Sequence, residues 1–248
     1  MSEAFLNGPE YDLQDFDGKP SIVYVICSTG RSGSTLLCDL MRQTGVMGVP
    51  HEYFNLSNHG QVIIQRLNRS GAKSMSMEAY FDAIVRSRTT PNGVFGLKAH
   101  PNQFIPFVTN GFVRHYFSDL RYIYIDRRDL LAQAVSWNMA SQTGKWTSEE
   151  KETKAPEFAF DGIEQAMAVI SGQNSLWEHF FRLNNIQPHR ITYEGLLADP
   201  NGHLENVAGF LGVEPPAQVD IHRSGIKKQA SNLNQQWIEQ FNALLMKL

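Results

Sequence analysis

The sequence predicts an α/β fold in three layers, a mainly parallel central sheet flanked by helices. Three observations carry this expectation. Short runs rich in β-branched and aromatic residues alternate with segments of helical spacing. Basic residues stand at or just past the ends of successive runs: Arg31, Lys98 and the pair Arg127-Arg128. Between the first run and the first helix lies a loop of small residues, Ser28-Thr29-Gly30-Arg31-Ser32-Gly33-Ser34-Thr35.

Residues 1–20, with Gly8-Pro9, Gly18 and Lys19-Pro20, read as a loosely attached N-terminal segment. Residues 21–27 (Ser21-Ile22-Val23-Tyr24-Val25-Ile26-Cys27) form the first strand and 34–44 the first helix, stopped at Gly45. An irregular stretch over 46–60 contains Pro50-His51-Glu52-Tyr53-Phe54. Helical spacing returns at 62–67 and 77–85. Thr90-Pro91-Asn92-Gly93 turns the chain into a second strand, 94–99. A third strand, 120–126, runs into Arg127-Arg128-Asp129 and a helix that extends through Met139. Residues 141–160 are polar and break the pattern; they read either as a solvated loop or, because Trp146 is costly to expose, as a lid over a site. Ile163, Met167, Ile170, Trp177 and Phe181 mark the core-facing stripe of a long helix. A fourth strand follows at 190–193, and a last helix, 204–212, ends on a glycine.

The length of 248 residues suits a single domain, 1–248. A net charge of -3 argues against a protein that coats nucleic acid. No apolar run approaches the roughly 20 residues that span a bilayer. The acidic N-terminus lacks the basic and apolar regions of a signal peptide. The two cysteines, Cys27 and Cys38, read as buried reduced thiols, so a soluble cytoplasmic protein is expected. The histidines fall in no metal-ligand spacing, and no G-x-S-x-G elbow occurs, so metalloenzyme and serine-hydrolase readings fall away.

The loop at 28–35 has the chemistry of a tetrahedral-anion site. A strand, a glycine-containing loop and a helix start together expose backbone N–H groups at the positive end of a helix. Ser32, Ser34 and Thr35 add hydroxyls, Gly33 allows close approach, and Arg31 binds two oxygens at once. The arrangement is P-loop-like, yet it lacks the lysine that a nucleoside-triphosphate loop places after its second glycine. A sulfuryl group, which needs no magnesium partner, fits this loop.

Ligands of such folds gather at the carboxyl ends of the strands, so one polyanion is expected across Arg31, Lys98 and Arg127-Arg128. Either arginine of that pair, with Ser136 on the following helix, makes a second phosphate site. Lys227-Lys228-Gln229 reads either as a solvated pair of lysines or as a loop closing over that phosphate. Glu52 sits among aromatic residues, where burial raises a carboxyl toward the range of a general base. His51 and His100 are further candidate bases. The residues alone leave open a nucleotide kinase-like phosphotransferase and a non-catalytic nucleotide- or carbohydrate-binding module.

From Ser21 to Trp237 the chain resembles the sulfotransferases that use 3′-phosphoadenosine-5′-phosphosulfate (PAPS), most of all their bacterial trehalose sulfotransferase-like (LPS sulfotransferase-like) branch. The resemblance rests on the Arg31–Thr35 loop, the Gly45-to-Phe54 stretch, Thr90 to Lys98, and Arg127 followed by Gln133-Ala134-Val135-Ser136-Trp137. Tyr193-Glu194 and Asp199-Pro200 add to it. It implies the sulfotransferase fold, PAPS as donor, adenosine 3′,5′-bisphosphate (PAP) as product, no metal, and a homodimer. It implies that Arg31, Ser32, Gly33, Ser34 and Thr35 hold the 5′-phosphosulfate. Arg127 (favoured over Arg128 by alignment) and Ser136 would hold the 3′-phosphate, with Lys228 and Gln229 closing over it. Glu52 would be the base, and Arg31 and Lys98 would stabilise developing charge. The acceptor implied is a hydroxyl of a carbohydrate-like or small molecule. Val49 and His51 precede Glu52 in place of polar residues that help hold the sugar in the trehalose enzyme, leaving the acceptor's identity open.

Overall fold

A computed structural model describes residues 6–57, 59–68, 75–117, 119–146, 152–214, 216–224 and 232–246. Four strands form one sheet: β1 (Ile22–Cys27), β2 (Val94–Ala99), β3 (Leu120–Asp126) and β4 (His189–Thr192). Their order is β2-β1-β3-β4, and every pairing is parallel, with Ile26 opposite Lys98 and Ile125 opposite Ile191. Helices α1 (Ser34–Gln43), α2 (His59–Leu67) and α3 (Met77–Arg88) lie between β1 and β2 in the chain. Helices α4 (Pro101–Thr109) and α5 (Phe112–Tyr116) lead to β3, and α6 (Leu130–Thr143) and α7 (Phe160–Leu183) lead to β4. Helices α8 (Tyr193–Ala198), α9 (Pro200–Leu211) and α10 (Asn232–Leu245) complete the described chain.

Alternation along the strands builds the layers. Tyr24, Ile26, Ile123, Ile125 and Ile191 pack against Leu37 and Leu40 of α1 and Val207 and Leu211 of α9. Val23, Val25, Cys27, Phe95 and Leu97 face the other way, onto an aromatic layer that includes Phe81, Phe104, Trp177 and Phe181. Every residue of β2 is buried, which explains its short, continuous apolar run. A third cluster joins α6, α7 and α10 through Val135, Ile170, Trp237 and Phe241. Among the described residues no helix is long and apolar enough to cross a membrane.

The expected strands 94–99 and 120–126 occur with those bounds, and the fourth shifts by one residue. The chain from β1 crosses to β2 on one side, whereas β3 and β4 extend the sheet on the other. The loops after β1 and β3 therefore diverge and open a crevice at the carboxyl edge.

The N-terminal segment departs from expectation, because its described part is docked from Leu6 to Phe16. Leu6 and Asn7 are fully buried, at 0% and 1% exposure. Leu13 N donates to Ser87 O at 2.7 Å and Phe16 N to Arg86 O at 2.8 Å. Asp12 pairs with Arg66 and, at 2.9 Å, with Nε of the buried Arg88, whose Nη2 also donates to Gly8 O. Glycine and proline content marks an irregular backbone; it does not report the partners waiting on α2 and α3.

Candidate active site

The loop between β1 and α1 is fastened from three sides. Trp177 Nε1 of α7 donates to Ser28 O at 2.9 Å. Gln133 Nε2 of α6 donates to Thr29 Oγ1 at 3.0 Å and to Gly30 O at 2.7 Å. Ser28 N donates to Ala99 O, at the end of β2. Gly30 lies against Trp137, and Gly33, at φ 86°, lies against the Tyr193 ring. Arg31 also takes a left-handed conformation, φ 64°. Gly33 caps α1 with no side-chain hydrogen bond, so the first N–H groups of the helix lack a side-chain acceptor.

Three polar atoms around this loop are buried and make no hydrogen bond among the described residues: Ser32 Oγ, Arg127 Nε and Gln133 Oε1. An unmet buried donor is costly, and the oxygens of an anion would satisfy the first two. Arg127 stacks on Tyr193, 4.9 Å from the ring centroid, and so shares its support with Gly33. Arg128 is exposed, and Glu194 accepts from its backbone N–H and that of Asp129.

Arg31 and Ser136, read from sequence as parts of two phosphate sites, touch: Arg31 Nε donates to Ser136 Oγ at 2.9 Å. Arg31 Nη1 also donates to the Trp146 carbonyl, and the Trp146 ring stands edge-on to Trp137. The candidate lid thus begins over the loop. Its residues 147–151 lie outside the described chain, as do Lys228 and Gln229. Ser224, the last described residue before Lys228 and Gln229, donates its Oγ to the buried Asp39 of α1 at 2.7 Å.

Across from the loop a single parallel bridge, His51 to Leu97, extends the sheet beyond β2. Lys98 N donates to His51 O at 2.9 Å in that bridge, which sets Glu52 beside Lys98. Glu52 Oε1 lies 2.6 Å from Lys98 Nζ, which also donates to Thr35 Oγ1 at 3.1 Å. Glu52 Oε2 accepts from Asn55 and Gln103, each at 2.9 Å. The expectation of a raised Glu52 pKa is therefore reversed. Burial pushes it up, but Lys98, then His100 and His59, outweigh burial and hold the carboxyl well below its usual range. Burial lowers His51 well below its usual value, helped by His59 and Lys98, and lowers His100 against the opposing pull of Glu52. Burial therefore favours the neutral form of both rings.

These groups enclose a cavity of about 90 Å³. It is lined by Gly30, Arg31, Ser34, Thr35, His51, Glu52, His59, Lys98, His100 and Trp146, and the polar side chains among them also present their carbon surfaces to it. A larger hollow of about 360 Å³ at the end of α7 is a different feature; there Arg190 and Glu178 neutralise each other at 2.7 Å. Among the described residues no three His, Cys, Asp or Glu side chains stand together as a metal site. Cys27 and Cys38 are buried free thiols, Cys38 pushed up to about 12 chiefly by burial.

The structure thus brings Arg31, Ser32, Gly33, Ser34, Thr35, Glu52, Lys98, Arg127 and Ser136 to one edge of the sheet. Sequence reasoning missed Asn55, Gln103, His59 and Asn7 at the same site. Nothing in their local sequence marks them, because each is delivered by tertiary packing.

Comparison with known proteins shows the family of the chain. A model of the family described as Stf0 sulphotransferase matches residues 23–243. Two relatives are each described as a trehalose 2-sulfotransferase. The one from Mycobacterium tuberculosis is 24% identical over 257 residues, covering 89% of this chain and 94% of that protein. The one from Mycolicibacterium smegmatis is 26% identical over 255 residues, covering 88% and 93%. The solved sulfotransferase domain from the curacin biosynthetic pathway is 18% identical with a TM-score of 0.50, covering 91% of this chain and 99% of that one, and supports the fold.

Proposed function

The chain belongs to the Stf0 sulphotransferase family, and from that premise we propose that it moves a sulfuryl group from PAPS to a hydroxyl of a carbohydrate-like acceptor. The donor supplies an activated sulfuryl group, which passes to the acceptor oxygen in line with departure of the nucleotide 5′-phosphate. The observation that carries this reading is the uncapped start of α1, whose Ser34 and Thr35 share one cavity with an ionised Glu52, together with the unpartnered Ser32 Oγ and Arg127 Nε around the same loop.

Arg31, the N–H groups of the loop, Ser32, Ser34 and Thr35 would hold the 5′ end of the donor, and Arg127 with Ser136 its 3′-phosphate. Lys228 and Gln229 remain assigned to the same phosphate by resemblance. Glu52 takes the acceptor proton. Paired with Lys98 its charge is matched, which makes it a weak base. An anion on the loop competes for that lysine through the shared contact at Thr35. Once Lys98 turns to the anion, burial becomes the ruling influence on Glu52 and strengthens it as a base. Most of the acceleration then comes from alignment and preset donors, as in phosphoryl transfer.

The acceptor assignment draws on the two trehalose 2-sulfotransferases and on the number of hydrogen-bonding side chains that line the cavity, among them His51, Glu52, His59 and His100. Calorimetry with PAP, and transfer of labelled sulfate from PAPS to trehalose and glucose in excess EDTA, test the proposal. Binding with metal-independent transfer supports it. Transfer that strictly requires magnesium favours a kinase-like reaction, and PAP binding without transfer favours a binding module.

A further inference from the structure

The N-terminal segment reaches the acceptor side of the cavity through one residue. Asn7 is 1% exposed, and its carboxamide lies between two histidines of the cavity lining. Its Oδ1 is 2.8 Å from His51 Nε2, and its Nδ2 is 3.1 Å from His59 Nδ1. The two imidazoles themselves meet edge-on, with centroids 4.8 Å apart.

A carboxamide imposes a direction on such a bridge. Its oxygen only accepts and its NH₂ only donates. His51 must therefore carry a hydrogen on Nε2, which leaves Nδ1 as the acceptor of that ring. His59 must present a lone pair at Nδ1, so its neutral form carries the hydrogen on Nε2. One side chain thus specifies the tautomer and the plane of two rings. The segment can do this because it is fixed: Gly8 O is held by Arg88, and Asp12 by both Arg88 and Arg66.

Position gives this pair a task. Arg31, Thr35 and Lys98 adjoin the anion loop, and His51 and His59 line the same cavity beside Glu52, where an acceptor that reaches the base would meet them. We propose that Asn7 is a positioning residue for the acceptor. It locks His51 and His59 in complementary tautomers, so that the wall beside Glu52 offers a fixed pattern of hydrogen-bond donor and acceptor to a neutral polyhydroxylated molecule. This rests on the sulfotransferase reading above and adds to it a residue from outside the loop, the base and the phosphate sites.

The test uses the full chain saturated with PAP, and the variants Asn7→Ala and Asn7→Asp. Aspartate is nearly isosteric but has no hydrogen to donate, so it keeps the His51 contact and forces a hydrogen onto His59 Nδ1. Imidazole ¹⁵N spectra are expected to show the Nε2–H form of both rings in the unmodified protein. In Asn7→Asp, His59 is expected to move to the Nδ1–H or doubly protonated form. With the best substrate among trehalose, glucose and glycerol, both variants are expected to raise the acceptor KM on the order of tenfold, the scale of one lost hydrogen-bond pattern. PAP affinity should be unchanged, and kcat should stay within about threefold. A His51 Nδ1–H signal in the unmodified protein overturns the proposal. So does an acceptor KM that ignores both variants, or PAP binding without transfer to any of the three probes. Failure of PAP to bind the unmodified protein strikes the sulfotransferase reading instead.

Discussion

Glu52 shows why a single residue's chemistry is set by its neighbours. Aromatic flanks in the sequence announce burial, and burial is indeed the largest influence on its carboxyl. The sign of the net shift comes from Lys98, which stands on another strand and reaches Glu52 only because His51 pairs along β2. The residue was legible; its ionisation was not, since no local pattern encodes a bridge between segments so far apart. The same applies to Asn7 and His59, whose significance exists only in contact. For Glu52→Gln, turnover is expected to fall by about 10²–10⁴, the usual contribution of a placed base. PAP affinity should hold or tighten, because the amide no longer competes for Lys98. Single-turnover kinetics with calorimetry separates the two effects, and unchanged turnover would remove Glu52 from the role.

At the level of elements, the loop and α1 were readable because strand, small-residue loop and helix follow one another without interruption. Strand β2 was readable because Val94-Phe95-Gly96-Leu97 is a short apolar run, buried throughout; β3 was readable from the high β propensity of Tyr122-Ile123-Tyr124-Ile125, although its first three residues are only half-buried. Local spacing marks none of helices α4, α5, α8 and α10. Helix α4 contains Pro106, α5 and α8 are too short to show a period, and α10 lies beyond the basic stretch at 227–228. The loop's dependence on glycine is testable. A methyl group on Gly33 would come within 2.3 Å of the Tyr193 ring, at a φ of 86° that alanine resists. Gly33→Ala is expected to destabilise the fold by about 2 kcal/mol and to abolish PAP binding. Urea unfolding and calorimetry measure both, and near-normal binding would mean that the loop can re-form around a different turn. The N-terminal strap has its own test. Asp12→Ala leaves the guanidinium of Arg88, 1% exposed, without its carboxylate, and a loss of about 3 kcal/mol is expected. A midpoint within experimental error of the parent's would show that the strap contributes nothing.

Across the whole molecule, topology decides where the chemistry gathers. The strand order β2-β1-β3-β4 parts the loops after β1 and β3, and nearly every described candidate residue lies at that parting or on the bridge beside β2. Composition and alternation reveal the layers but not the strand order, so the crevice could be anticipated only in outline. Stability carries a whole-molecule signature as well. His51, His100 and His189 are all held below their ordinary value by burial. Below about pH 6.5 the unfolded chain binds protons that the folded chain refuses. Stability is therefore complete above neutrality and declines as pH falls through that value, by up to about 1.4 kcal/mol per pH unit for each histidine that stays neutral. The depressed Glu52 adds a second decline below the ordinary carboxylate value of about 4.3. Urea midpoints between pH 8 and pH 4 should follow this course, and a flat profile from pH 7.5 to 5 contradicts it.

Asn7 has a practical corollary for anyone handling the protein. Leu6 and Asn7 are both enclosed, so a shortened version begun at Gly8 would discard the carboxamide together with its apolar anchor. Such a preparation should lose appetite for acceptor while nucleotide capture stays intact.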